Sequence, residues 1–248
     1  MRIAITRPRE QSSETKVKLE SLGMKPVCFP LIEIVPDLKN IQSFKEDLKN
    51  RSIDIIVFTS INGARVVLEE MNEEEIRRLR NIEIFSIGPK TRDFLLNYKI
   101  FSKIPEEYTS KALADMLDVR GKDIYLLRTS SGSRLLYNTL IRKGANVHDV
   151  HVYHSRMPHI DRIKPLIGEI INKNLDAILF TSSLAVEHLF KSARELGVLE
   201  EVLAGLRDMK VVVIGPVTAR ILSDFGISPL IPEEYTVDAM IDVIMDKT

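Results

Sequence analysis

Hydroxyl, glycine and arginine residues recur where the sequence predicts that β-strands end and helices begin. In a parallel α/β sheet, ligands bind beyond the carboxyl ends of the strands. The residues at those predicted ends are Thr6 and Arg7, Thr59 and Ser60, Gly88–Thr91, Arg128–Ser130, Thr181 and Ser182, and Gly215–Thr218. Free backbone N–H groups and the helix dipole at such positions favour negative charge. These residue types predict a surface that binds an anionic ligand, and no strand end offers a pair of carboxylates for acid–base catalysis.

The serines and threonines among these residues also have a structural interpretation. Ser60, Ser130 and Ser182 stand at predicted helix starts, where a serine hydroxyl commonly accepts a hydrogen bond from the first turn. Thr91 and Thr218 lie past the cap position, within the first turn, so their hydroxyls are freer to face a ligand. The sequence leaves both roles open for these five residues.

Two arginines and a tyrosine could also contact a ligand. Arg7 and Arg128 end equivalent predicted strands, and a surface salt bridge explains each of them as well as a ligand contact does. Tyr153 ends a strand where the chain is predicted to pass between two domains. Its phenol is neutral at pH 7 and can donate a hydrogen bond, although packing between the domains is an equally good explanation.

A metal or redox centre is disfavoured. His148 and His154 share one face of a predicted strand, whereas His151 points to the other face, so these rings and His159 do not converge on one ion. Cys28 is the only cysteine, and in its apolar run we interpret it as a small buried hydrophobic residue. GxGxxG, GxxxxGK[ST], HExxH and GxSxG motifs are also absent, which argues against dinucleotide-binding, nucleotide triphosphate-binding and hydrolase classes.

The composition narrows the class of protein further. The 248 residues include 35 basic and 35 acidic residues, and this balance argues against a chain-wide nucleic-acid surface. Apolar residues make up 44%, enough for an ordinary core. No apolar run approaches the length of a membrane span, and the first strand begins at Arg2, which leaves no room for a signal peptide. We expect a soluble cytoplasmic protein that binds neither nucleic acid nor membrane.

The chain contains an internal duplication. A strand, a Gly-Pro corner and a helix opening at the proline occur at Ile82–Arg92 and again at Val211–Arg220. Each copy continues into the same six letters, IPEEYT, at Ile104–Thr109 and Ile231–Thr236. In both of these segments we interpret the tyrosine as a packing residue and the threonine as a helix cap.

The duplicated pieces predict an α/β fold. Each half contains a short strand–helix–strand unit, followed by a longer unit in which strands and helices alternate. In the first short unit the second strand is predicted over Lys25–Ile34, and in the second short unit the helix is predicted over Ser131–Lys143. Strands that alternate with helices at this spacing predict a mainly parallel sheet with helices on both faces.

The lengths of the joints predict two similar domains. The joint Val119–Lys122 is a tight loop, as expected within a domain, whereas Glu33–Asn40 and His154–Asp161 are extended and each contains a proline. We therefore predict one domain over 40–153, inserted into a discontinuous domain made of 1–33 and 162–248. The segments 34–39 and 154–161 would pair as a two-stranded extended hinge.

The order of several short motifs resembles the uroporphyrinogen-III synthase family. FTS follows the first strand of each long unit, VYHS stands at the predicted hinge, and IGPVTA opens a helix at Ile214–Ala219. With the duplication, the resemblance covers essentially the whole chain. It implies an enzyme, a cofactor-independent hydro-lyase that closes linear hydroxymethylbilane into uroporphyrinogen III. Water is lost, the last pyrrole ring (ring D) is inverted, and neither metal nor cofactor is used.

The resemblance also implies roles for individual residues. Tyr153 matches the family's hinge tyrosine, which would hydrogen-bond the departing hydroxyl, and Thr218 matches the threonine of IGPxTA, with Thr91 as its counterpart. Ser60 and Ser182, from the two FTS motifs, match positions that bind substrate carboxylates. We predict Tyr153 and Thr218 as catalytic residues. The predicted substrate-binding residues are Arg7, Thr59, Ser60, Gly88, Thr91, Arg128, Ser130, Ser182 and Gly215.

The implied substrate is a polycarboxylate, which agrees with the anion-binding strand ends. We expect catalysis by positioning of the substrate and by dipoles placed around a cationic intermediate, without a strong acid or base. We also expect a monomer whose only partner is this small molecule. The alternative is a non-catalytic two-domain protein that closes on an anionic small molecule.

Overall fold

The computed structural model describes residues 1–245 of the chain. The chain divides into two compact units. The first unit comprises Met1–Glu33 together with the chain from Arg156 onward, and the second unit comprises Ile34–Ser155. The last three residues of the predicted domain 162–248 lie outside the described residues.

Strands and helices alternate along most of the chain. The first twelve elements are β1 (Arg2–Ile5), α1 (Arg9–Ser21), β2 (Lys25–Cys28), β3 (Glu33–Pro36), α2 (Leu38–Asn50), β4 (Ile55–Phe58), α3 (Ile61–Glu69), α4 (Glu73–Leu79), β5 (Glu83–Ser86), α5 (Pro89–Leu96), β6 (Ser102–Lys103) and α6 (Ser110–Met116). The next ten are β7 (Asp123–Thr129), α7 (Leu135–Arg142), β8 (Asn146–Arg156), α8 (Ile160–Ile171), β9 (Ala177–Phe180), α9 (Ser183–Glu195), α10 (Leu199–Arg207), β10 (Lys210–Val213), α11 (Pro216–Ser223) and α12 (Val237–Met245). Within residues 1–245, none of the helices is long and apolar enough to cross a membrane.

The sheet of the first unit has four strands in the order β10-β9-β1-β2, and neighbouring strands run parallel. The central strands β1 and β9 are almost completely buried: Ile3, Ile5 and Phe180 are 0% exposed. Parallel strands covered by helices on both faces are apolar on both sides. This explains why the sequences of β1 and β9 read as short continuous apolar runs.

The sheet of the second unit has six strands in the order β3-β8-β7-β4-β5-β6. Strand β7 pairs in parallel with β8 and β4, and β5 pairs in parallel with β4 and β6. The order β8-β7-β4-β5 corresponds to β2-β1-β9-β10 of the first unit. The two units therefore share a strand order as well as sequence motifs, which confirms the duplication.

Helices cover both faces of the second sheet. Ile55 and Val57 of β4 pack in one cluster with residues of α6 and α7. Their neighbours Ile56 and Phe58 point to the opposite face and pack with residues of α2 and α3. The predicted fold class, mainly parallel sheets flanked by helices, is confirmed.

The predicted extended segment Lys25–Ile34 is not one strand, because it contains β2 and the start of β3, which lie in different sheets. After β2, the N–H groups of Phe29 and Leu31 still donate to the carbonyls of Ile5 and Thr6, at 2.8 and 3.1 Å. The chain then leaves that sheet, and β3 becomes a neighbour of β8. The backbone stays mostly extended while its neighbouring strand changes from β1 to β8. The sequence pattern therefore predicts a single strand.

Two helices, α4 and α10, were not predicted. The first of them carries a clear local signal: Asn72 accepts a hydrogen bond from the Glu75 N–H, and the Glu75 side chain accepts one from the Asn72 N–H. This reciprocal capping box is readable in the sequence as Asn-Glu-Glu-Glu. Both helices lie in the longer units of the duplication.

Candidate functional site

Two predicted site residues, Ser60 and Tyr153, are joined by a hydrogen bond at the carboxyl end of β4. Their hydroxyl oxygens lie 3.0 Å apart. Ser60 also caps α3, because its Oγ accepts a hydrogen bond from the Gly63 N–H at 3.1 Å. Tyr153 is only 6% exposed. The capping interpretation of Ser60 is confirmed, and the same oxygen also reaches the phenol.

An irregularity of the sheet determines where Tyr153 lies. Arg128 on β7 pairs with His151 on β8, but the next residue, Thr129, pairs with Tyr153. The skipped residue makes a β-bulge, which changes the direction of the side chains that follow it. The Tyr153 carbonyl accepts a hydrogen bond from the Ser130 N–H at 3.2 Å, which holds the strand end against the loop after β7.

Thr59, the residue before the α3 cap, faces the backbone of β7. Its N–H donates to the Leu127 carbonyl at 3.3 Å, and its hydroxyl lies 3.5 Å from the same oxygen. The predicted ligand contact of Thr59 therefore competes with a contact inside the protein.

Arg128 forms a buried ion pair rather than a surface salt bridge. Its Nε and Nη2 donate to the two carboxylate oxygens of Asp149 at 2.6 and 2.8 Å, and its Nη1 donates to the Gly132 carbonyl at 2.8 Å. Burial by itself raises the pKa of Asp149, but the hydrogen bonds and charge of Arg128, helped by His151, outweigh burial and hold that pKa below its ordinary value. Arg128 thus fixes the loop after β7, and its contact with a ligand stays a prediction.

Ser130 does not cap a helix, so that interpretation is wrong. The predicted helix Ser131–Lys143 begins only at Leu135 as α7, and residues 130–134 form a loop. The Leu135 N–H is instead paired with the hydroxyl of Ser133 at 3.2 Å. Ser130 lies at the start of the loop, directly after β7, and its role in ligand binding stays a prediction.

The Gly-Pro corner of the second unit forms the start of α5. Gly88 is the N-cap and Pro89 the first helical residue. Thr91 is 5% exposed, so it is less accessible than the sequence suggests. The ring of Tyr108 lies against Gly88, with its Cγ 3.8 Å from where a Cβ would stand, yet Tyr108 is 57% exposed. Thr109 caps α6, as predicted, by accepting a backbone N–H at 3.1 Å.

The corresponding corner of the first unit forms the start of α11. Gly215 is the N-cap of this helix, and Tyr235, 63% exposed, covers it as Tyr108 covers Gly88. Thr218 is 2% exposed, and its Oγ1 lies 3.3 Å from the hydroxyl of Ser183. Ser182 caps α9 by accepting a backbone N–H at 3.2 Å, which confirms its structural interpretation.

Arg7 lies half-buried beside α1. Its Nη2 donates to the Gln11 side chain at 3.0 Å, and its Nη1 lies 3.4 Å from the Thr15 hydroxyl. Burial lowers the pKa of the Arg7 guanidinium, an effect that Glu14 opposes in part. Both contacts hold the side chain on the helix that follows its strand.

Two histidines of β8, His148 and His151, contact other side chains of the second unit. The ring of His148 stacks on Tyr125, with centroids 4.3 Å apart, and His151 lies 3.3 Å from Asp149. Burial, with a hydrogen bond to Asp47, raises the pKa of Tyr125. In the described part of the chain, no group of three His, Cys, Asp or Glu side chains could hold a metal ion. Cys28 is a free thiol that is partly rather than completely buried, and it packs against the core of the first unit, in agreement with its interpretation as a small hydrophobic residue.

Sequence reasoning missed two residues of this site. Asp149 has no motif of its own, and only the parallel pairing of β7 with β8 brings it to Arg128. Gly63 stands in the third position of α3, where a Cβ would lie 3.4 Å from Ser60 Oγ and 3.6 Å from Tyr153 Cε1. A glycine inside a helical pattern often marks a close approach, so this signal was available.

Each unit thus contains a mainly parallel sheet with helices, and the carboxyl ends of its parallel strands carry hydroxyl side chains and the N-termini of helices. These features define a protein of two α/β units that share one strand order. The chain belongs to the uroporphyrinogen-III synthase family: the profile HEM4, described as "Uroporphyrinogen-III synthase HemD", matches residues 13–242.

Individual proteins agree with the family match. The chain is 31% identical to the "Putative uroporphyrinogen-III synthase" of Methanocaldococcus jannaschii, over 98% of each chain. Two crystal structures have the same fold. Uroporphyrinogen-III synthetase of Helicobacter pylori superposes with a TM-score of 0.64 at 16% identity, over 99% of each chain. A mutant uroporphyrinogen III synthase of Thermus thermophilus gives 0.57 at 22% identity, over 98% of this chain and 97% of that one.

Proposed function

We propose that this chain is a uroporphyrinogen-III synthase that cyclises linear hydroxymethylbilane to uroporphyrinogen III, with loss of water and inversion of ring D. The observation that carries the proposal is the family match over residues 13–242. The buried phenol of Tyr153 beside the cap of α3 supports it, because this is the position of the family's hinge tyrosine. The reaction is an elimination of water that needs no cofactor.

Tyr153 is the group proposed to assist loss of the hydroxyl. As the C–O bond of the hydroxymethyl group breaks, the pyrrole nitrogen supplies the electron pair and an azafulvenium cation forms. The leaving oxygen gains negative charge, and a hydrogen bond from the Tyr153 hydroxyl stabilises it. The phenol is buried, and a hydrogen bond is stronger electrostatically where water is excluded.

The carboxylates of the substrate are proposed to bind at the sheet ends. The positive, N-terminal ends of α3, α5, α9 and α11 follow the carboxyl ends of β4, β5, β9 and β10. The side chains proposed to contribute are Arg7, Thr59, Thr91, Arg128, Ser130 and Ser182, with the backbone at Gly88 and Gly215. Thr218 is proposed as a catalytic residue together with Tyr153. Binding many carboxylates at fixed points folds the flexible bilane, so that the intended carbon of ring D meets the cation.

The distribution of charge supports catalysis by positioning. The predicted site residues are hydroxyls, glycines and arginines, and the carboxylate that pairs with one of them, Asp149, is held by Arg128. A carboxylate in that state is a poor base, because its pKa lies below the ordinary value. The proposed work of the protein is therefore to orient the bilane and to stabilise charge, with Tyr153 as the one donor at the leaving group.

The domain assignment is part of the proposal. We propose domains over 1–33 with 162–248 and over 40–153, with 34–39 and 154–161 as the hinge. The division of the chain near Glu33 and Arg156 supports these limits. We also propose that the enzyme acts as a monomer in the cytoplasm, which measurement of the molar mass by light scattering and cell fractionation would test.

A coupled assay tests the proposed function directly. Purified protein is added to freshly generated hydroxymethylbilane, the products are oxidised, and the porphyrin isomers are separated. We expect predominantly the type III isomer. Type I alone, the product of uncatalysed closure, would refute the enzyme and leave a binding protein for an anionic small molecule.

A further inference from the structure

We propose that Ser60 is a positioning residue that acts through Tyr153, as the middle member of a hydrogen-bond relay. The relay consists of the Gly63 N–H, the Ser60 hydroxyl and the Tyr153 hydroxyl. Its function is to direct the phenol proton of Tyr153 toward the leaving group of the substrate. This inference rests on the proposed function, and it differs from the carboxylate-binding role that the family resemblance gives to Ser60.

The distances place three groups in one continuous chain. The Gly63 N–H donates to Ser60 Oγ at 3.1 Å, and Ser60 Oγ lies 3.0 Å from Tyr153 Oη. A hydroxyl donates one hydrogen bond and accepts two. Since Ser60 already accepts from Gly63, it can still donate its own proton to the oxygen of Tyr153. The proton of Tyr153 is then left for a third group.

The helix favours this direction of the relay. Gly63 is in the first turn of α3, where backbone N–H groups carry the positive end of the helix dipole. An oxygen that accepts from such an N–H becomes a stronger donor through its own O–H, because hydrogen bonds in a chain polarise one another. The same polarisation passes to the phenol and makes Tyr153 a better donor to the departing hydroxyl.

Other contacts keep Tyr153 from turning away from Ser60. The β-bulge of β8 sets the position of Tyr153, and the Ser130 N–H holds its carbonyl at 3.2 Å. Gly63 lies beside the ring, since a Cβ there would be in ordinary van der Waals contact with Tyr153 Cε1, at 3.6 Å. The backbone of Tyr153 is therefore held by the Ser130 N–H, and its hydroxyl is held by Ser60 at the helix cap.

The duplicate serine provides a matched control. Ser182 caps α9 in the first unit as Ser60 caps α3, but it accepts from the Leu184 N–H, and its neighbour Ser183 pairs with Thr218. Ser60→Gly and Ser182→Gly remove the same hydroxyl from the same kind of cap. Glycine is itself tolerated at the cap position, at only a small cost in stability, so both variants should fold.

Kinetics with the bilane separate the two roles of Ser60. We expect Ser60→Gly to lower kcat by about three- to tenfold, as for loss of one hydrogen bond, with KM little changed. In the Tyr153→Phe background the same substitution should cause no further fall in kcat, whereas Ser182→Gly should act independently of Tyr153→Phe. Ser60→Thr, which keeps the hydroxyl, should restore kcat. A raised KM with unchanged kcat, or losses that multiply with Tyr153→Phe, would overturn the relay.

A spectroscopic measurement tests the relay without any turnover. Tyrosine labelled with ¹³C at Cζ reports hydrogen bonding of the phenol, and comparison with Tyr153→Phe identifies the Tyr153 signal. We expect this signal to move in Ser60→Gly, to return in Ser60→Thr and to stay in place in Ser182→Gly. An unmoved signal in Ser60→Gly would overturn the inference even in an active enzyme. A moved signal in a protein that forms only type I isomer would support the contact and refute the proposed function alone.

Discussion

Replacing Asp149 by asparagine should destabilise the protein strongly, because it removes the charge that balances a buried arginine. The side chains of Arg128 and Asp149 are 5% and 15% exposed, and two short hydrogen bonds join them. An asparagine in this place would keep the shape but offer a single neutral acceptor. Breaking a buried ion pair by removing one partner costs about 3–5 kcal/mol. Since the amide oxygen still accepts one hydrogen bond, we expect the free energy of unfolding to fall by the lower end of this range, about 3 kcal/mol.

The loss should depend on pH in a defined direction. The folded-state pKa of Asp149 lies below its ordinary value of 3.8. A carboxylate of this kind contributes its full stabilisation above the ordinary value and loses it as pH falls through the lower folded-state value. The difference between wild type and Asp149→Asn should therefore be constant from about pH 7 to about pH 5 and shrink below about pH 4.

Urea denaturation at several pH values measures this difference, with the midpoint and slope compared between proteins. Asp161→Asn is the matched control, because Asp161 pairs with Lys164 on an exposed surface. We expect no measurable change for it at neutral pH. The reasoning would be refuted by an Asp149→Asn protein as stable as wild type, or by a difference that does not shrink in acid.

Three further predictions concern turnover and packing. Tyr153→Phe should slow formation of the type III isomer without abolishing it, since no single group carries the reaction; complete loss in a folded protein would contradict this distributed mechanism. Thr218→Ala should have a milder effect in the same assay, and normal activity would assign Thr218 a structural role only. Gly205→Ala should destabilise by about 1–3 kcal/mol, because its Cβ would lie 2.5 Å from the Ile170 carbonyl. Gly168→Ala has open space around its Cβ and should stabilise by about 0.5–1 kcal/mol, so equal midpoints for the two variants would disprove the packing argument.

The helix caps of the candidate site could be predicted because their signals are local. Ser60 and Ser182 cap helices next to them in sequence, and Thr109 does the same for α6. A cap needs only the right side chain directly before a helix, so its residue type and spacing suffice. The Gly-Pro corners could be predicted for the same reason, because a glycine followed by a proline marks a helix start locally.

Errors arose where the partner of a segment is far away in sequence. The Lys25–Ile34 segment is extended throughout most of its length, but only pairing with β1 or β8 assigns its parts to different sheets. The loop at 130–134 depends on Arg128, whose Nη1 donates to the Gly132 carbonyl. Side-chain spacing in the sequence contains no information about such a contact.

By itself, the sequence determined the duplication, the mainly parallel α/β class and the family, because these follow from periodicity and from motifs in a fixed order. Only the tertiary structure decided that Arg128 is held by Asp149 and that Ser60 meets Tyr153. Those contacts join residues 21 and 93 positions apart. Their existence depends on which strands pair, in which register and with which bulge. That information arises only when the whole sheet forms, since each strand alone is compatible with several partners.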